Sequence, residues 1–140
     1  MDLLPGWAAS ASALTAERLH LDLVAGNIAN MNTTRTPDGG PYRRRVPIFS
    51  AMVIRAGAGT PTAGRGVMVS GIYQDPTAPR QVYDPSHPDA DPRGYVSYPN
   101  INIVNEMVDL ITATRAYEAN STVLNASKNL ALTTLELARA

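Results

Sequence analysis

The sequence predicts a mixed α+β fold: long N- and C-terminal helices that form a coiled-coil-like assembly core, with a small Pro-rich β insert between them. Three observations predict it. The last forty residues, 101–140, contain no glycine and no proline. Residues 31–100 hold ten of the eleven prolines and eight of the ten glycines. These two residue types are the strongest breakers of regular structure, so their segregation separates helix from turn-rich chain. Apolar side chains also recur every seven residues in both terminal stretches, the spacing of a helix seam. The chain divides accordingly into an N-terminal helix with an Asn-rich cap (1–34), a β-rich insert (35–100) and a C-terminal helix (101–140), the two helices together forming one domain.

In the N-terminal stretch, Pro5-Gly6 reads as a breaker, and a helix is expected from about Trp7. Trp7, Leu14, Leu21 and Ile28 lie seven residues apart, with Ala11 and Ala25 between them and Arg18 interrupting the row. Gly26 weakens the helix near its end. Residues 27–34 hold three Asn and Thr33-Thr34, residues that favour caps and turns. Asn30 is expected to take a left-handed C-cap conformation.

The insert opens on Pro37-Asp38-Gly39-Gly40-Pro41, a strong turn signal. Tyr42 to Ile54 reads as extended, and Pro47 within it argues for an edge or a bulge. Arg55 to Arg65, rich in Gly, Ala and Thr, reads as a mobile loop. Gly66 to Tyr73 is the clearest strand, ended by Asp75-Pro76. Gln81 to Tyr83 and Tyr95 to Tyr98 are short strands on either side of a Pro- and Asp-rich turn. So many prolines exclude a large regular sheet.

The C-terminal stretch is capped by Asn100 or Asn102, and Glu106 sits near its first turn, where the helix dipole favours an anion. At 1.5 Å per residue it would reach roughly 60 Å. Ile103, Leu110, Tyr117, Leu124, Ala131 and Ala138 repeat every seven residues, with Met107, Thr114, Ser121, Lys128 and Leu135 as the expected companion row. The two helices, about 24 and 38 residues long by this reading, pack on each other and leave roughly four turns of the longer one unmatched. Thin seams bury too little to offset an ordering cost on the order of 1.5 kcal/mol per residue. Neighbouring subunits are therefore expected to complete the helices.

Composition removes several function classes. The formal net charge is zero, so the field of a nucleic-acid binder is missing. There is no cysteine, which excludes disulfides, thiolate metal sites and cysteine nucleophiles. No segment approaches the roughly 18–20 apolar residues of a membrane span, and the N-terminus lacks the basic start of a signal peptide.

Asp84, His87, Asp89 and Asp91 could in principle ligate a metal and serve a small metal-dependent hydrolase. The interleaved prolines restrict their convergence, and a rigid turn is the preferred reading. Ser86-His87 lacks a nucleophile elbow and an oxyanion loop. Arg43-Arg44-Arg45 reads as the charged rim of a protein interface. His20 reads as a surface or interface residue. No catalytic residue, metal or cofactor is expected.

Ala11-Ser12-Ala13-Leu14-Thr15-Ala16-Glu17-Arg18, Asn27-Ile28-Ala29-Asn30 and Thr33-Thr34-Arg35-Thr36-Pro37 resemble the N-terminal signature of bacterial flagellar rod proteins, within the rod and hook axial family. Gly39-Gly40-Pro41-Tyr42, Tyr83-Asp84-Pro85-Ser86-His87-Pro88-Asp89-Ala90-Asp91, Glu106-Met107-Val108-Asp109-Leu110-Ile111 and Arg115-Ala116-Tyr117-Glu118-Ala119-Asn120 follow in the expected order and are similar to its proximal-rod members. The resemblance spans residues 8–138; Arg55 to Arg65 matches none of the motifs. It implies a structural subunit with no enzymatic activity and no cofactor. It implies type III export without a cleaved signal peptide, and assembly with itself, other rod subunits and basal-body and export-gate components into a rod crossing the periplasm. The expected assembly interface comprises Trp7, Leu14, Leu21, Asn27, Ile28 and Asn30 on the first helix, and Ile103, Met107, Leu110, Arg115, Tyr117, Asn120, Leu124 and Leu135 on the second.

Overall fold

The computed structural model describes residues 4–52 and 66–137, together with Arg139. The expected loop at 55–65 and the end of the first extended segment lie outside the described residues. Helix α1 spans Leu4–Ala29 and helix α2 spans Ile103–Leu137. Between them, β1 (Arg45–Ala51) pairs antiparallel with β2 (Val67–Gln74), and β3 (Arg80–Tyr83) pairs antiparallel with β4 (Tyr95–Tyr98). The two ribbons do not join into one sheet.

Helix α1 begins earlier than Pro5-Gly6 suggests. Pro5 falls in the first turn, where an amide hydrogen would have no intrahelical acceptor, so proline costs little there. The other end corrects the expected cap. Among the described residues no non-glycine residue has a positive φ, so Asn30 is not left-handed. Instead its Nδ2 donates to the Gly26 carbonyl at 2.9 Å, and its Oδ1 accepts from Thr33 Oγ1 at 3.1 Å. The side chain thus adds a second donor to a carbonyl that already accepts from the Asn30 amide at 3.1 Å.

Helix α2 starts on the Asn102 cap, whose Oδ1 accepts from the Val104 amide at 2.9 Å. Asn27, near the end of α1, touches Glu106, in the first turn of α2, so the two helices run antiparallel along each other. Counted back from that contact, the start of α1 is roughly level with Asn129. The final two turns of α2 overhang it.

The row of α2 that faces α1 corrects the expected companion positions. Leu110, Leu124 and Ala131 are partly or wholly shielded, as the seven-residue spacing suggests, but their companions are Glu106, Ala113, Asn120 and Ser127. Met107 and Leu135 are 52% and 61% exposed, and Thr114 and Lys128 also face outward. The seam steps three residues on from Leu110 and Leu124, not four.

The β1–β2 ribbon packs on α1. Ser12 Oγ accepts from the Val67 amide at 3.1 Å and donates to the Ala9 carbonyl at 2.7 Å. Gly66 allows this approach, since a Cβ there would stand 2.4 Å from Ser12 Oγ. His20 stacks edge-on against Phe49 with ring centroids 5.7 Å apart. The register shifts between Ile48 and Phe49, one residue after the buried Pro47.

Candidate assembly interface

At the junction of α1, α2 and β1 lies a buried polar knot. Asn27 and Glu106 are 1% and 0% exposed. Asn27 Nδ2 donates to Glu106 Oε2 at 3.0 Å and to the Arg45 carbonyl at 2.9 Å. Asn27 Oδ1 accepts from the Arg45 amide at 2.9 Å and from Tyr42 Oη at 3.1 Å. Both donors and both lone pairs of the amide are used, which makes its burial affordable. Glu106 Oε1 accepts from Arg44 Nε, and Arg44 Nη2 reaches Asp109 Oδ2 at 2.8 Å. Burial pushes the Tyr42 phenol above its ordinary value; the Arg45 charge lowers it and the Glu106 charge raises it. Burial opposes the charge on Arg44, but the Glu106 hydrogen bond and the charges of Glu106, Asp109 and Asp75 keep its pKa raised.

The knot was not legible as a unit. The sequence places Arg44 with Arg43 and Arg45 on the charged rim of a protein interface, yet Arg44 turns inward to Glu106. Strand alternation was the available signal: Arg43 and Arg45 are exposed while Arg44 is not. Arg45 instead lies over the Tyr42 ring, 5.5 Å from its centroid.

Beyond the knot little is buried. Among the described residues the buried apolar side chains are Ala16, Val24, Val96 and Ala113, with Pro47 and Pro99. Two alanines and two valines supply only a few kcal/mol of transfer free energy, at about 1.5–3 kcal/mol for a fully buried Val. The chain exposes 9911 Å², against roughly 7000 Å² for a compact monomer of this mass.

The large apolar side chains concentrate outside, at both ends of α2. Ile103, Val104, Met107, Val108 and Ile111 are 41–63% exposed, and Leu130, Leu132, Leu135 and Leu137 are 50–74% exposed. Of the residues expected to form the interface, Asn27 is committed to the knot, and Leu14, Leu21, Ile28, Leu110 and Leu124 are half-buried within the chain. Asn30 is used by the α1 cap, and Asn120 Nδ2 donates to the Ala116 carbonyl at 2.9 Å. Trp7, Ile103, Met107, Arg115, Tyr117 and Leu135 are exposed.

The Asp- and Pro-rich turn spends its polar groups locally. Asp84 Oδ1 accepts from the Ser86 hydroxyl at 2.6 Å and from the Ser86 amide at 3.1 Å, and the hydroxyl bond is the main cause of its lowered pKa. His87 Nδ1 accepts from the Asp89 amide at 3.0 Å, and Asp89 accepts from Thr34 Oγ1 at 2.8 Å. Asp91 Oδ1 accepts from the amides of Arg93 and Tyr95. Among the described residues no cluster of three acidic or histidine side chains could hold a metal ion, and no helix is long and apolar enough to cross a membrane.

Two long helices tied at one end, a minimal core and exposed apolar ends define a structural subunit. Comparison with known proteins specifies the class. The family described as "Flagella basal body rod protein" matches residues 9–35, and "Flagellar basal body rod FlgEFG protein C-terminal" matches residues 93–137. The flagellar basal-body rod protein FlgC of Borreliella burgdorferi is 48% identical over 133 residues, covering 86% of this chain and 88% of that protein. FlgC of Bacillus subtilis is 43% identical (93% and 94% covered), and FlgC of Yersinia enterocolitica is 42% identical (98% of each). The chain belongs to the FlgC family of flagellar basal-body rod proteins. It is a structural subunit of the rod.

Proposed function

We propose that the chain polymerises through its terminal helices into the proximal rod, the drive shaft that transmits torque across the periplasm. Residues 1–34 and 101–140 act as the assembly core, and residues 35–100 as an insert carried by it. The chain has no enzymatic role and needs no cofactor. It is exported without a cleaved signal peptide by the flagellar type III apparatus. Its partners are further copies, other rod subunits and the surrounding basal-body and export-gate components.

The observation that carries this reading is the overhang of α2. Its last two turns extend past α1 with Leu130, Leu132, Leu135 and Leu137 all at least half exposed. A monomer gains nothing from ordering such a segment, whereas an assembly buries it. Deletion of the gene tests the reading. Deletants should be non-motile, without filaments, and complemented by the intact chain. Motile deletants would refute it.

A further inference from the structure

The outward faces of the two helices carry matching rows. On α2, Ala119, Val123, Ala126, Leu130, Thr133 and Leu137 step 4, 3, 4, 3, 4 and are all exposed. This row lies roughly 130° round the helix from the seam that faces α1. Thr133 Oγ1 donates to the Asn129 carbonyl at 3.0 Å, so its hydroxyl is already satisfied. On α1, Ala11, Thr15, Arg18, Asp22, Ala25 and Ala29 step 4, 3, 4, 3, 4 and are also all exposed. Thr15 Oγ1 likewise bonds back, to the Ala11 carbonyl at 3.2 Å. Both rows have the spacing of a helix-packing seam, yet neither has a partner among the described residues. The α2 row sets Val123, Leu130 and Leu137 among Ala and Thr, and the α1 row is mostly Ala and Thr, so large side chains of the first can enter the shallow face of the second.

We propose that the outer row of α1 in one copy packs antiparallel on the outer row of α2 in a second copy, with the register set by Asp22 opposite Arg115 and Arg18 opposite Glu118. The inference rests on the rod-subunit reading and adds the faces, orientation and register of one contact. All four charged residues are exposed, and none makes an ion pair among the described residues. Along each helix the arginine precedes the acid. Only an antiparallel arrangement therefore pairs both couples at once; a parallel one that matches one couple leaves the other about two turns apart. Exposed pairs of this kind select partner and register more than they add affinity.

The register sets Ala11 level with Ala126 and Ala25 level with Thr112. The α1 row thus meets Ala126, Val123 and Ala119 and then the same α2 face continued through the exposed Arg115, Thr112 and Val108. Leu130 comes level with Trp7, and Leu137 lies beyond the start of α1. The contact joins different faces of the two copies, so it does not close on itself as a symmetric dimer and propagates into a ring or a helical assembly. A single helix pair of this length buries on the order of a few hundred Å² per copy, below the roughly 800 Å² of a stable two-body complex. Two isolated copies should bind weakly. In a polymer each copy uses both rows, one toward each neighbour.

The absence of cysteine in the chain makes thiol cross-linking a direct test. Ala11→Cys and Ala126→Cys chains are co-expressed in flagellated cells lacking the native gene, the cells are oxidised and basal bodies isolated. A product of twice the chain mass is expected from the mixture and not from either variant alone. Ala29→Cys with Ala126→Cys, a pair that only a parallel arrangement would bring together, should remain unlinked. In the linking background, Asp22→Arg should reduce the product by about tenfold, and Asp22→Arg with Arg115→Asp should restore it to within about twofold. Chain present in basal bodies without the 11–126 link, a 29–126 link, or no restoration by the charge exchange would overturn the contact and leave the rod reading intact. A native chain absent from basal bodies would overturn both. If a cysteine variant is not incorporated, oxidation of the purified full chains at high concentration reads the same contact, and no link there overturns it.

Discussion

Glu106 Oε2 lies 3.0 Å from Asn27 Nδ2, joining residues 79 positions apart at a point where neither is more than 1% exposed. This bond fixes the end of α1 against the start of α2. Asn27→Ala would leave the Glu106 carboxylate, the Arg45 backbone and the Tyr42 hydroxyl short of partners. A loss of about 2–4 kcal/mol is expected. It should appear as a lower urea midpoint with unchanged slope. Asn27→Asp should be worse, because it places a second carboxylate beside Glu106 and removes both donors.

The Arg44–Glu106 pair is coupled more tightly than a surface ion pair, since the Glu106 side chain is only 1% exposed. Arg44→Met should cost about 3–5 kcal/mol by stranding a buried carboxylate. Arg44→Met with Glu106→Leu removes both charges and should recover part of that loss. A double-mutant cycle measures the coupling, and strictly additive losses would show that the pair is independent.

Tyr42 gives the knot an alkaline limit. Burial raises its folded-state pKa above 10.0, so the folded chain holds the phenolic proton more firmly than the unfolded chain does. The contribution is fully present below about pH 10 and is lost as pH rises through the folded value. Tyr42→Phe should cost about 1 kcal/mol at neutral pH, from the lost bond to Asn27 Oδ1. The variant should also lose less stability above pH 10 than the native chain. Parallel alkaline curves for the two proteins would remove Tyr42 from the account.

The strands were legible because β-branched and aromatic runs are punctuated by Pro and Gly, so β2, β3 and β4 lie within a residue or so of their expected bounds. In the seven-residue row of α2, Leu110, Leu124 and Ala131 were legible for the same reason, being apolar at that spacing, whereas Ile103 and Tyr117 of the row are exposed. The companion row was not legible, because Glu106, Asn120 and Ser127 are polar and periodicity was sought among apolar residues. A carboxylate at a seam position becomes readable only with its partners, and Arg44 and Asn27 lie far away in sequence. The Asn30 cap was misread because an asparagine can end a helix through its side chain as well as through a left-handed backbone.

Gly94 holds the β3–β4 ribbon closed. Its φ is +84°, and a Cβ there would stand 2.8 Å from Tyr83 Cε2 and 3.2 Å from Pro85 Cβ. Gly94→Ala combines backbone strain with a collision, for an expected cost of about 1–3 kcal/mol. The Tyr83 and Tyr95 rings, 5.2 Å apart edge to face, should report the change through near-ultraviolet circular dichroism. An unaltered spectrum would mean that the turn relaxes without cost.

Leu124 and Leu130 separate the two roles of α2. Leu124 is half-buried on the seam facing α1, whereas Leu130 is 62% exposed near the level at which α1 begins. Leu124→Asp brings a carboxylate into the helix contact and should destabilise the chain by about 2–4 kcal/mol as well as block rod assembly. The β ribbons should persist, visible in the Tyr83–Tyr95 signal. Leu130→Asp should change monomer stability by no more than about 0.5 kcal/mol and still abolish incorporation into basal bodies, because the side chain is needed only by a neighbour. Thermal melts of the purified chains, set beside immunoblots of isolated basal bodies, distinguish the cases. If Leu130→Asp builds rods normally, the exposed leucines of α2 are not assembly contacts; if Leu124→Asp does so, pairing of α1 with α2 is not required to build the rod.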